Sequence, residues 1–420
     1  MLTAYTQTMT NPARAPSVQQ DSVDQDDGDA AVLPHDPAGV LFQANVWSGY
    51  GSEENRAVAL GLSRDGFVVQ LAPRDVLVDG RSGIGAPAQR KLERLTRDRV
   101  RLARSVLYQA GSPDEWNLDF YGTCRVGRTA FGAHRLPHGW AAQCNDMDEV
   151  WVPNKFCRES FAASGAKEGK LRVVHTGVDT QIFRPGLPAL DFPRGRGFRF
   201  LSITDLHSRR GTDLLLRAYL EEFTADEDVA LILKICERQN ARVTPQEEIA
   251  FFIEVELGLR LEDSAELIVL DGPIAQADFP RLYASADAFV AVSRATAYGR
   301  SMLEALACEL PVIATGWGGP MEFLHDGNSF LVDNEGLVTA GAEEEPFTGL
   351  QWAQPSVAHL RQLMRQLVSG GGQAQARGRQ GRQDAVARWD WTVVLHEWGS
   401  AFGNLLPPGR NPHDGSGESV

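Results

Sequence analysis

The sequence predicts an α/β protein: two tandem doubly wound, Rossmann-like domains facing each other across a cleft. From residue 38 onward, apolar runs of strand length alternate with helical patterns. A Pro- and Gly-rich stretch, FRPGLPALDFPRGRG (183–197), interrupts the alternation, and the same pattern restarts beyond it. Strands joined by helices imply crossover connections and parallel sheets. Two such sheets in one chain leave a crevice between them, where folds of this kind take ligands. A length of 420 residues is enough for two or three domains with substantial cores.

In the first half, AGVLFQANV is a strand and the turn 47–51 follows it. Ser52 to Asp65 is helical by the spacing of Ala57, Leu60 and Leu62, with Ser52 as N-cap and Gly66 as stop. GFVVQLA is the next strand, and residues 88–107 have the pattern of a long basic amphipathic helix. RVGRTAF, EVWVP and LRVVHTGVD follow as strands, with a helix from Lys155 to Ser164. In the second half, FRFLSIT, VALILKI, ELIVLDG, AFVAVSR and PVIAT are strands, separated by helices over Thr212–Phe223, Phe279–Ser285 and Ser301–Glu309. The expected boundaries are a disordered acidic tail (1–35), an N-terminal domain (36–185) and a C-terminal domain (186–372). A helical stretch (373–405) carrying Trp389, Trp391 and Trp398 and a loose tail (406–420) complete the chain.

Hydrophobic residues make up 43% and charged residues 23%, which excludes a collagenous or wholly disordered chain. No apolar run is long enough for a transmembrane helix, and the first 35 residues lack the basic-then-apolar order of a secretory signal. Five widely spaced cysteines without a CxxC argue against a disulfide framework or zinc site and suggest a cytoplasmic protein. The net charge of −14 is uneven: residues 36–185 carry +3 and residues 186–420 carry −13. Neither half is basic enough for a nucleic-acid binder.

Two loops stand out. Gly49-Tyr50-Gly51-Ser52 lies between a strand and a helix N-terminus, where amides and the helix dipole favour an anion, or where a tight turn is simply needed. It is not GxGxxG, because Glu54 occupies the third glycine's place. In SRATAYGRSMLEALACELPVIATGWGGPMEFL (293–324), a strand ends at Ser293 and a loop bearing Gly299 feeds a helix carrying Glu304. Amides of Gly299, Arg300, Ser301, Met302 and Leu303 are placed to meet phosphate or sugar oxygens, and Glu304 to accept from ribose hydroxyls. Ser301 to Glu304 also has the form of a capping box, and composition does not choose between the two.

LEALACELPVIATGWGGPMEFL resembles the C-terminal donor-site signature of GT-B-fold retaining glycosyltransferases, the large group 1 or family-four class. MDEVWVPNKFCRESFAASGA, VVHTGVDTQIFRP, RRGTDLLLRAYLEEF and LYASADAFVAVSR agree with it, in order, over about residues 40–370. The resemblance implies a metal-independent, cofactor-free transfer of a sugar from a nucleotide donor with retained anomeric configuration. Glu304 then matches the second Glu of the Glu-x7-Glu motif and holds the ribose. Gly299 to Leu303 meet sugar and phosphates, and Arg210, with Arg209 beside it, replaces the pyrophosphate lysine. His134 falls where a His or Asp approaches the donor sugar; Gly49, Gly51 and Ser52 match the N-terminal glycine loop. The base meets backbone around Ile274, so UDP, GDP and ADP are not separated. The C-terminal helix is expected to return to the N-terminal domain.

Two positions depart from that pattern. The first Glu of the motif is Thr296, and a basic residue expected after the first strand of the second domain is Asp205. The second reading is therefore a non-catalytic GT-B subunit with a degenerate donor site, acting as a binding partner. A sugar-nucleotide epimerase is a third. Asp146-Met147-Asp148 has the form of a metal-binding DxD but reads as solvated helix-end carboxylates, and no GxSxG elbow supports a hydrolase. The acceptor (saccharide, lipid or protein) is not encoded. The basic stretch 88–107 allows peripheral contact with an anionic membrane face, or is a solvated helix packed through Leu92, Leu95, Leu102 and Val106.

Overall fold

A computed structural model describes residues 2–4, 37–49, 51–77, 84–119, 122–192, 197–236, 243–342 and 344–407. The other residues of the expected N-terminal tail, and residues 408–420, lie outside the described residues. Leu2–Ala4 (β1) differs from the expected tail: it pairs in parallel with a strand of the second domain.

The first domain is a six-stranded, all-parallel sheet. Its strands are β2 (Val40–Ala44), β3 (Val69–Pro73), β4 (Val106–Ala110), β5 (Cys124–Arg128), β6 (Glu149–Val152) and β7 (Leu171–Val173), in the order β3-β2-β4-β5-β6-β7. The crossovers carry α1 (Ser52–Arg64), α2 (Ala86–Leu95), α3 (Trp140–Asp146) and α4 (Lys155–Ala163). The single helix expected over 88–107 is not formed. It stops at Leu95, a short turn spans Leu102–Arg104, and β4 takes the remainder. The reason is the sheet: Val106, Leu107 and Tyr108 fill the slot between β2 and β5 and are covered on both faces, as central parallel strands require. Leu102, expected in the core, is 48% exposed.

The second domain repeats the plan. β8 (Phe198–Thr204), β9 (Val229–Ile235), β10 (Glu266–Leu270), β11 (Ala288–Ala291), β12 (Val312–Thr315) and β13 (Phe330–Val332) run parallel in the order β1-β10-β9-β8-β11-β12-β13. Its helices are α5 (Thr212–Glu222), α6 (Pro245–Phe251), α7 (Phe279–Tyr283), α8 (Arg300–Ala307) and α9 (Val357–Val368). An antiparallel hairpin, β14 (Asn334–Thr339) with β15 (Gln351–Pro355), is inserted before α9.

The C-terminal stretch is two helices rather than one. α10 (Gly372–Asp384) lies on the second domain, where Gly378 and Gly381 meet Glu309 and Leu306 closely. At Asp390 the chain turns: its carboxylate accepts from the Thr392 amide (2.8 Å) and from the Thr180 amide (3.1 Å). α11 (Trp391–Gly403) then packs on the first domain, burying Trp398 and Phe402 against Tyr108 and Trp151. That aromatic cluster ties the chain's end to the centre of the first sheet.

Candidate active site

In a doubly wound sheet the crevice opens where strand order reverses, outside the carboxyl ends of the strands. Here that point lies between β8 and β11 in the second domain and between β2 and β4 in the first. The loops leaving those strands hold most of the candidate residues.

After β8 the chain makes a tight turn over Ser208–Arg210 and enters α5 at Gly211 (φ 66°). A Cβ on Gly211 would lie 2.1 Å from the Val292 carbonyl, so the turn needs glycine to sit against the β11 loop. Asp205, which stands where a basic residue is expected, is engaged within the turn. Its carboxylate accepts from Arg209 at 2.9 Å, Arg210 at 3.1 Å and the His207 amide at 3.1 Å. Two guanidinium groups on one carboxylate leave a net positive turn whose arginines are braced. The turn is locked from behind as well: the Arg209 carbonyl accepts the Arg294 and Ala295 amides, and Arg294 forms a bidentate pair with Asp213.

Across the switch point, Gly299 (φ 87°) is the N-cap of α8. The capping box whose form Ser301–Glu304 has is not made. The Met302 and Leu303 amides return to the Gly299 carbonyl instead, and helix geometry leaves the amides before them directed outward. Glu304 is 3% exposed and accepts from the Tyr283 hydroxyl at 2.5 Å, with Arg300 Nε at 3.3 Å. Burial pushes its carboxyl up to about 7 against the pull of Arg300. Ile274 is half-buried beside the apolar cluster that includes Met302 and Leu303. Thr296 is buried, and its hydroxyl has no hydrogen-bond partner among the described residues. The first domain closes on it: a Cβ on Gly132 would stand 2.8 Å from the Thr296 nitrogen.

On the first domain, Gly49 (φ 79°) and Gly51 (φ 76°) shape the loop, and Gly51, not Ser52, is the N-cap of α1. Ser52 is buried. Part of the loop's anion-binding capacity is already taken, since Asp75 accepts the Val46, Trp47 and Ser48 amides at 2.7, 2.8 and 2.6 Å. Glu53 in the first turn of α1 pairs with Arg300, so the first domain reaches the Glu304 cluster directly. His134, in the loop after β5, is held by the Gln351 carbonyl through its backbone amide and ring Nδ1, both at 3.2 Å. Asp148 of the DxD-like triplet binds Arg125 through its backbone amide (2.8 Å) and side chain (3.3 Å). Among the described residues no group of three or more His, Cys, Asp or Glu is arranged to hold a metal ion.

Two further contacts were not visible in the sequence. Arg128, at the end of β5, is buried and paired bidentately with Glu54 of α1 (2.8 and 3.0 Å), with Thr176 and the Val174 carbonyl completing its partners. A second arginine in the strand run RVGRTAF, three residues after Arg125, was the available signal. His175, at the domain junction, sits between Glu397 of α11 (2.9 Å) and Glu322 of the second domain (3.4 Å). Burial pulls its charge down, but the two carboxylates prevail and lift it to about 9, so it remains a cation at neutral pH.

Two Rossmann-like domains, with an arginine turn and a buried carboxylate at the second domain's switch point, define a GT-B-fold protein. Residues 198–348 match the family described as "Glycosyl transferases group 1". D-inositol 3-phosphate glycosyltransferase 1 of Catenulispora acidiphila is 26% identical over 239 residues, covering 50% of this chain and 55% of that one. The GDP-mannose-dependent alpha-(1-6)-phosphatidylinositol monomannoside mannosyltransferase of Mycolicibacterium smegmatis is 27% identical over 259 residues, covering 59% and 60%. The chain thus spans a little over half the length of these curated relatives. Among solved structures, Anabaena HepE in complex with UDP and glucose superposes with a TM-score of 0.59 at 15% identity, over 87% of this chain and all of that one. Sucrose-phosphate synthase of Thermosynechococcus elongatus gives 0.60 at 15% identity over 88% and 99%. The family match is confined to the second domain, and the two domains together have the GT-B fold.

Proposed function

We propose that this protein transfers a sugar from a nucleotide-sugar donor to an acceptor hydroxyl with retention of configuration, needing neither metal nor cofactor. The observation that carries the reading is the facing pair at the β8/β11 switch point: Arg209 and Arg210 braced on Asp205, opposite the N-terminus of α8 with Glu304 behind it. The arginines and outward amides neutralise the charge that grows on the departing nucleoside diphosphate, and Glu304 accepts from the ribose hydroxyls. The anomeric C–O bond to the diphosphate breaks while the acceptor oxygen bonds on the same face. The acceptor's proton passes to the departing phosphate oxygen, and no protein nucleophile takes part. A degenerate, non-catalytic subunit loses one of its two supports, because Asp205 braces the arginines; Thr296 remains the other.

The activities of the relatives make GDP-mannose and inositol phosphates the first pair to test, with UDP-glucose beside it. Thermal unfolding in UDP, GDP, ADP and TDP, each with its common sugar conjugates, checks the donor side. A ligand at 100 times its Kd stabilises by ~2.7 kcal/mol, a rise of roughly 5–10 °C in a domain of this size. One nucleotide class should give it, and Arg210→Ala should remove it. No rise with any of them in the folded protein overturns the reading.

On the acceptor side, Arg90, Lys91, Arg94, Arg97, Arg99, Arg101 and Arg104 are all exposed, close to exposed Leu102 in sequence. Each such cation near an anionic bilayer contributes ~1 kcal/mol. We therefore propose peripheral contact with an anionic membrane face. Co-sedimentation with vesicles containing phosphatidylglycerol, but not with pure phosphatidylcholine vesicles, is the expected result, with release at high salt. Equal binding to both overturns it.

A further inference from the structure

The hairpin β14–β15 is an insertion that a Rossmann crossover does not require, and its contacts reach both halves of the site. Gln351 of β15 presents its carbonyl oxygen to the backbone amide and ring Nδ1 of His134, each at 3.2 Å. A carbonyl oxygen only accepts, so Nδ1 carries the proton in this contact. Neutral His134 is then the Nδ1–H tautomer, with Nε2 left as a lone-pair acceptor. Phe347, in the turn of the hairpin, stacks on Phe131, three residues before His134, with centroids 4.5 Å apart and planes at 16°. It also lies against Trp352 of β15 at 5.8 Å. The Ala353 amide donates to the Arg294 carbonyl at 3.0 Å, and Glu344 accepts from Ser208, the residue next to Arg209 and Arg210.

We propose that this hairpin is a positioning element for the reaction. Through Phe347 and the Gln351 carbonyl it fixes His134 in the Nδ1–H tautomer, and through Glu344 it links that placement to the arginine turn. Nε2 then accepts a hydrogen bond from a sugar or acceptor hydroxyl; the opposite tautomer would donate there and reverse the polarity of the site. Its consequence for transfer rests on the function proposed above, whereas the tautomer itself does not.

The test therefore needs no substrate. The full chain, labelled with 15N-histidine, is observed by NMR at pH 8.5, and the His134 signals are identified by their loss in His134→Asn. The wild type should show the Nδ1–H pattern. Phe347→Ala should shift His134 mainly to the Nε2–H tautomer and raise exchange of the His134 amide by about tenfold or more. Phe347→Tyr, which keeps the stack, should retain the wild-type pattern. If Phe347→Ala does not fold, Phe347→Leu is read in its place. An Nε2–H tautomer in the wild type, or an unchanged tautomer in the folded Phe347 variant, overturns the proposal. Absence of nucleotide binding alongside an intact tautomer result counts against the proposed function alone.

Discussion

Replacing Arg128 by methionine is expected to lower the unfolding free energy by about 3–5 kcal/mol, the cost of leaving a buried partner charge uncompensated. Arg128 is 4% exposed, and its bidentate partner Glu54 is tied to the first turn of α1, directly behind the glycine loop. Burial alone would make the guanidinium less basic; the Glu54 carboxylate reverses that and holds it above its ordinary value. The same guanidinium lies 5.0 Å from the Trp398 ring, so the pair also braces α11. The apparent melting temperature should fall by on the order of 10 °C. The double variant Glu54→Leu with Arg128→Met should recover most of that fall, since removing both charges removes the unpaired one. A single variant that melts within a degree of the wild type shows that Glu54 is satisfied without Arg128.

The second large effect is on nucleotide binding and its dependence on pH. Because burial lifts Glu304 to about 7, it is mostly protonated at pH 5.5 and mostly ionised at pH 8.5. Ribose hydroxyls donate best to the ionised carboxylate. Nucleotide affinity should therefore rise by up to tenfold per pH unit below 7 and level off above 8. The protein without nucleotide should change in the opposite sense. A carboxyl raised above its unfolded value costs stability as pH climbs from about 4.5 to 7, by roughly 3 kcal/mol at most for this group. Glu304→Gln should flatten the affinity profile and weaken binding by ~1.5–3 kcal/mol, about 10- to 150-fold. Calorimetric titration between pH 5.5 and 8.5 measures both. A flat wild-type profile, or a Gln variant that binds as tightly as the wild type, removes Glu304 from the ribose.

The sequence by itself determined the two wound halves. Strands buried on both faces, such as VALILKI and AFVA, read as unbroken apolar runs, and the Pro- and Gly-rich segment 183–197 separates two copies of one pattern. It also placed Arg209 and Arg210 in the turn that leaves β8, and Gly299 and Glu304 at the start of the helix that follows β11, because local strand, loop and helix signals fix those positions. Tertiary structure decided the rest. Leu92, Leu95, Leu102 and Val106 keep helical spacing, yet the open slot between β2 and β5 turns Val106–Ala110 into a strand, since sheet pairing outweighs local periodicity. Whether Asp205 repels a diphosphate or braces two arginines depends on the turn at Ser208–Arg210, which brings residues four and five positions on back to its carboxylate. Arg128 finds Glu54 across 74 residues, and His134 finds Gln351 across 217. Such partners are chosen by which loops the two sheets bring to one crevice, and no local pattern of residues records that.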